Sequence, residues 1–121
     1  MSEGFRRSLR LTTKSEFIAV LGFRCSVRSA HFSIFAKPNT LDVSRLGMTI
    51  SRRVAPLAVD RNYMKRVIRE VFRRHQDEFN GVDMVVSARQ RFASGTYLSV
   101  ETELLEVGSQ ARRKCLASCR R

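Results

Sequence analysis

The sequence predicts an α+β fold in which helices cover one face of a small sheet and leave the other face open. Three observations carry that expectation. Apolar residues recur at helical spacing through DRNYMKRVIREVFRRH, residues 60–75; two earlier stretches alternate with the period of a strand; and a mostly apolar run follows through Met84, Val85 and Val86. At 121 residues, 43% apolar and with eight Phe, the chain fits one domain over residues 1–121, with an ordered core over about 5–107 and a basic tail over 108–121.

The elements follow in order. Thr13 precedes Glu16 at capping-box spacing and starts a short helix, KSEFIAVLG, that closes at Gly22. Ser29 to Ala36 alternates, with Phe32, Ile34 and Ala36 on one face and Ser33 and Phe35 on the other. KPNTLDVS is a connection. RLGMTIS alternates again, Leu46, Met48 and Ile50 opposing Arg45, Gly47, Thr49 and Ser51. RRVAPLAV leads through Pro56 into the basic helix, near whose start Asp60 suits the positive end of the helix dipole. NGVDMVVSAR supplies a turn and a strand, and Tyr97 to Val107 a final helix. The order is helix, strands, helix, strand, helix, and the open sheet face carries Ser33, Phe35, Arg45, Thr49 and Ser51.

Charge narrows the function. A formal charge of +12 is self-repulsive unless a polyanion is the usual neighbour, so nucleic acid leads and an anionic membrane surface is the rival. No window approaches the ~18 apolar residues of a membrane span, and MSEGFRRSLRL lacks a signal peptide's apolar core, which predicts a soluble cytoplasmic protein with no membrane partner. Cys25, Cys115 and Cys119 complete no zinc pattern, His31 and His75 lack partners at hydrolase or zinc spacing, and the carboxylates are scattered. These patterns predict reduced thiols, no metal site and no catalytic residue on the protein.

At about 100° per residue, Met64, Val67, Ile68, Val71, Phe72 and His75 share one arc of the basic helix, and Arg61, Asn62, Lys65, Arg66, Arg69 and Arg73 a neighbouring one. The column Arg61, Lys65, Arg69, Arg73 stacks like charges, an arrangement with no structural purpose that phosphates would resolve. A merely solvated basic face is the plain alternative; the total charge and the Arg52-Arg53 pair favour nucleic acid.

RNYMKRVIREVFR, preceded by RLGMTISRRV and followed by GVDMVVSAR, resembles the protein subunit of bacterial ribonuclease P, and SLRLTTKSEFIAVLGFR is similar to that family's N-terminal helix region. The resemblance covers residues 5 to 107. It implies a small α/β sandwich with a left-handed βαβ crossover, against the usual handedness. It implies contacts to the catalytic RNA from Arg52, Arg53, Arg61, Asn62, Lys65, Arg66 and Arg69, to which the angular reading adds Arg73. It implies a groove for the single-stranded 5′ leader of precursor tRNA, formed here by Phe17, Leu21 and Phe35, with Arg45 on the same open face; Phe35 would stack an unpaired base. Leader removal would then be carried out by the RNA subunit, which would also bind most of the magnesium, with one protein per RNA. Tyr63 stands where the family usually has Arg, APLAV where it has Gly-Asn, and Leu21 where an aromatic is common. The alternatives are a structural RNA-binding protein, such as a small ribosomal component, and a protein-only nuclease.

Overall fold

The computed structural model describes residues 10–11, 13–39, 41, 43–92 and 95–119, with side chains as far as Ala117. Residues 5–9 of the expected core and the Cys119 side chain lie outside the described set. The chain runs through α1 (Lys14–Gly22), β1 (Ser26–Arg28), β2 (Phe32–Pro38), β3 (Arg45–Thr49), α2 (Ala58–Arg74), a 3-10 turn (Gln76–Phe79), β4 (Val82–Ala88) and α3 (Tyr97–Cys119).

The predicted capping box is present: the Glu16 backbone N–H donates to Thr13 Oγ1 at 3.2 Å and the Thr13 N–H to Glu16 Oε1 at 3.1 Å. Beyond α1 the chain turns at Arg24, whose φ of 64° lies in the left-handed region, and enters β1. Sequence periodicity does not announce β1, because three residues are too few to show an alternation. Ser51 belongs to no strand; its carbonyl accepts from Ala55 N–H at 3.1 Å and starts the turn towards α2.

The sheet order is β1-β2-β4-β3, with β1/β2 and β2/β4 antiparallel and β3/β4 parallel. Helix α2 is thus the crossover between the two parallel strands. β4 is an interior strand buried from Val82 to Val86, which explains why its sequence reads as a run and not as an alternation. The main core gathers Phe32, Ile34, Ala36, Leu46, Met84 and Val86 from one sheet face against Met64, Ile68 and Phe72 of α2 and Val100, Leu104 and Val107 of α3.

Two expectations are corrected. The second sheet face is not left open: α1 lies over β2 and β4, and its Val20 meets Leu11 and Val85 in a smaller core that Phe17 and Phe35 flank. The cause is that α1 has an apolar stripe of its own, and β4 presents Val85 on that side. Nor does the final helix stop at Val107, since the expected tail from residue 108 is helix as far as Cys119. The apolar stripe continues through Val107, Ala111 and Cys115, all buried. Gly108 is a packing residue within this helix, for a Cβ there would stand 2.8 Å from the Phe79 ring, which stacks on Phe72 at 4.7 Å between centroids. Lys114 Nζ donates to Ser26 O and Arg112 Nε to Asn80 O, both at 2.9 Å, fastening the extended helix to the sheet edge and to the turn before β4. Cys25 and Cys115 are buried and form no disulfide among the described residues, and burial pushes the Cys25 thiol above the usual range.

Candidate nucleic-acid interface

Five apolar residues of α2, Met64, Val67, Ile68, Val71 and Phe72, are buried as the wheel predicts. His75 departs from that face: it caps the helix, half-buried, with Nδ1 at 2.6 Å from Glu78 and Nε2 at 3.2 Å from Glu101. The basic column divides into pairs. Its ends are held internally, Arg61 donating to Ala55 O at 2.8 Å and Pro56 O at 3.0 Å, and Arg73 gripping Glu70 through Nε at 3.0 Å and a terminal nitrogen at 2.6 Å. Its middle members, Lys65 and Arg69, line a cleft of about 170 Å³ with Arg10, Leu11, Phe17, Leu46, Gly47 and Met48.

Local structure builds this cleft. Leu11 N–H donates to Leu46 O at 2.9 Å, so the segment at Arg10 runs beside β3 and brings Arg10 towards α2. Phe17 reaches from α1 over Gly47, where a Cβ would stand 2.6 Å from the ring; only glycine allows this approach. Arg69 Nε is buried with no hydrogen-bond partner among the described residues, and burial, seconded by the Arg10 charge, lowers its proton affinity. Arg69, Lys65 and Arg10 thus line one cationic cleft, an electrostatic setting that favours an anion. Sequence reasoning assigned no role to Arg10 or Gly47. Arg10 could have been suspected from charge alone, whereas the role of Gly47 exists only in the packing.

Outside the cleft, Arg52, Arg53, Asn62 and Arg66 are exposed on the turn and on the outer face of α2. No described residue gives the side chain of Arg52, Arg53, Lys65 or Arg66 a hydrogen bond or ion pair. Tyr63, at the position where the signature usually has Arg, packs inward, its ring edge-on to Phe92 at 6.2 Å. The loop at Pro56 is pinned by buried Ala55 and by Arg61.

The four residues expected to form one groove are only partly brought together: Phe17 and Phe35 flank the same small core, but not one cleft. Phe17 lines the cleft. Phe35 is half-buried beside Val85 and the Leu11–Val20 contact, and Leu21 is exposed on α1, so neither lines it. Arg45 forms a bidentate pair with Asp83, Nε to Oδ1 at 2.8 Å and a terminal nitrogen to Oδ2 at 2.6 Å, and reaches Glu16 at 3.4 Å. Asn39 Nδ2 donates to the same Asp83 at 2.9 Å. Asp83, its partner, raises the affinity of Arg45 for its proton, and this charge ties α1, β3 and β4 together.

A sheet that carries its basic helix in a parallel crossover, with a cationic cleft at the helix flank, defines a polyanion-binding α+β domain. The family model for Ribonuclease P matches residues 5–112, and the chain belongs to that family. It is 41% identical over 116 residues to the ribonuclease P protein component of Chromobacterium violaceum, covering 96% of this chain and 92% of that protein. Among solved structures, the ribonuclease P protein of Staphylococcus aureus matches with a TM-score of 0.76 at 31% identity, over 85% of this chain and 94% of that one. The ribonuclease P protein of Thermotoga maritima gives 0.74 at 28% identity, over 84% and 96%. The chain is accordingly a protein component of the endoribonuclease that matures tRNA 5′ ends, an RNA-associated protein in a family whose RNA carries the chemistry. Among the described residues, no helix is long and apolar enough to cross a membrane.

Proposed function

We propose that α2 and the turn before it hold the catalytic RNA subunit through Arg52, Arg53, Asn62 and Arg66, while the Phe17–Lys65–Arg69 cleft receives the 5′ leader of precursor tRNA. The gathering of Arg69, Lys65 and Arg10 in one cleft carries this reading: together they offer a leader phosphate cationic donors, and Phe17 offers the adjacent base an aromatic wall. Phe35 and Leu21 would extend that surface along α1. Arg45, Arg61 and Arg73 act as positioning residues, since their charges are already engaged within the protein.

Neutralising phosphates lets two RNAs approach and releases counterions, so the protein favours precursor over leaderless product without touching the scissile bond. Magnesium would supply metal-assisted hydrolysis from the RNA side. The carboxylates of Glu16 and Asp83 are both held by Arg45 and do not suit a hard cation that needs free oxygens. One protein per RNA, working in the cytoplasm, completes the proposal.

The test is reconstitution with the RNA subunit at low magnesium, comparing affinity for precursor and mature tRNA. Tighter precursor binding that Lys65→Ala and Phe17→Ala reduce is expected; equal affinities in the unaltered complex would refute the leader cleft.

A further inference from the structure

Pro56, Leu57, Ala58 and Val59 are four consecutive apolar residues, all exposed, Leu57 to 61% and Val59 to 69%. Soluble proteins seldom present such a run to water without a use for it. Leu57 also occupies the N-cap of α2, makes no side-chain capping bond and leaves the first helical N–H groups without the acceptor that Ser, Asp or Asn would bring. An apolar side chain here is thus unfavourable twice, for solvation and for capping.

The surroundings of the run identify its partner. Arg52 and Arg53 are exposed before it; Asn62 and Arg66 follow Val59 at helical spacing on the outer face of α2. A formal charge of +12 opposes a second copy of this chain, and four residues are too few to enter a bilayer while the flanking charges stay at its surface. An apolar island ringed by cations complements a partner with phosphates outside and an unstacked base between them.

Resting on the assignment of α2 to the RNA subunit, we infer that Leu57 and Val59 form an aliphatic platform that covers an unpaired base of that RNA while the neighbouring arginines take its phosphates. The platform acts by excluding water from the base, so its contribution is not ionic. Phosphate contacts set the slope of log affinity against log salt; an apolar contact shifts the line without tilting it.

The experiment measures affinity of the full chain for its RNA subunit across a salt series, for Leu57→Ser with Val59→Ser and, separately, for Arg66→Ala. The double variant should bind about tenfold more weakly at every salt concentration with an unchanged slope, in keeping with the loss of one base contact. Arg66→Ala should lower the slope by about one. Leu57→Ser alone should unfold at a higher temperature, because Ser is the better N-cap, which separates loss of binding from loss of fold. Unchanged affinity, or an affinity loss accompanied by a fallen slope, would overturn the platform. So would a change in oligomeric state of the free chain, or binding to anionic vesicles that the double substitution abolishes. An Arg66→Ala slope that stays put would instead count against the underlying assignment of α2.

Discussion

Arg69→Met separates what the cleft does for RNA from what it costs the free protein. Met retains most of the stem's volume and apolar contact while removing a buried donor that has no acceptor among the described residues and that sits near Arg10. An unsatisfied buried donor costs ~1–3 kcal/mol, so the variant should gain about 1 kcal/mol in unfolding free energy. For a domain of this size that is an increase of roughly 4 °C in Tm, read by circular dichroism. RNA binding moves the opposite way: one charge-assisted phosphate contact is worth ~1.5–3 kcal/mol, a loss of about tenfold or more at low salt, with the salt slope lower by about one. A fall in Tm would show that Arg69 is a structural residue, and an unchanged slope would show that no phosphate meets it.

Three further outcomes follow from the same geometry. Gly47→Ala places a methyl group 2.6 Å from the Phe17 ring, so it should destabilise by ~1–3 kcal/mol and weaken precursor discrimination while affinity for the RNA subunit holds, measured side by side in the reconstituted enzyme. Asp83→Asn removes the bidentate partner of a part-exposed Arg45 and leaves it Glu16 at 3.4 Å, so it should cost ~1–2 kcal/mol in urea unfolding; Arg45→Met together with Asp83→Leu should recover most of it. Burial would raise the Glu103 carboxyl, but hydrogen bonds from Ser29 Oγ, His31 N–H and the His31 ring, with the nearby His31 charge, leave it below its ordinary 4.5. A lowered carboxyl stabilises above its unfolded value and loses that contribution as pH falls through the folded one. Glu103→Gln should therefore destabilise by ~1–3 kcal/mol at neutral pH, with the difference from the parent shrinking as the pH drops below 4.5.

What could be read from sequence was whatever repeats within an element. The two faces of α2 and the Thr13–Glu16 cap are local, and both are present. The use of each cation was not local. Arg61 and Lys65 are one turn apart on the same stripe, yet one is absorbed by carbonyls of its own loop and the other lines the cleft. Arg45 met Asp83 only because β3 pairs in parallel with β4, a register that no alternation pattern encodes. The end of α3 was misplaced for a related reason: Ala111 and Cys115 are weak apolar markers in a basic setting, and Gly108 has its purpose in Phe79, from a distant turn. Phe35 shares the face of Ser33 in the sequence pattern, but its half-burial depends on α1 crossing that face.

The sheet order also dictates when the fold can close. β4 is the only described strand that contacts β3, and it follows β3 and all of α2 in the chain. During synthesis, β3 therefore emerges with no strand to pair with and waits through the most cationic stretch before residues 82–88 arrive. Closure of that loop precedes any gain from the parallel ladder, which makes folding slower than for a hairpin-built sheet of equal size. A nascent chain halted before β4 would carry the basic α2 sequence without the sheet that orients it. Vectorial folding thus delays assembly of the proposed RNA-binding surface until the last strand is in place.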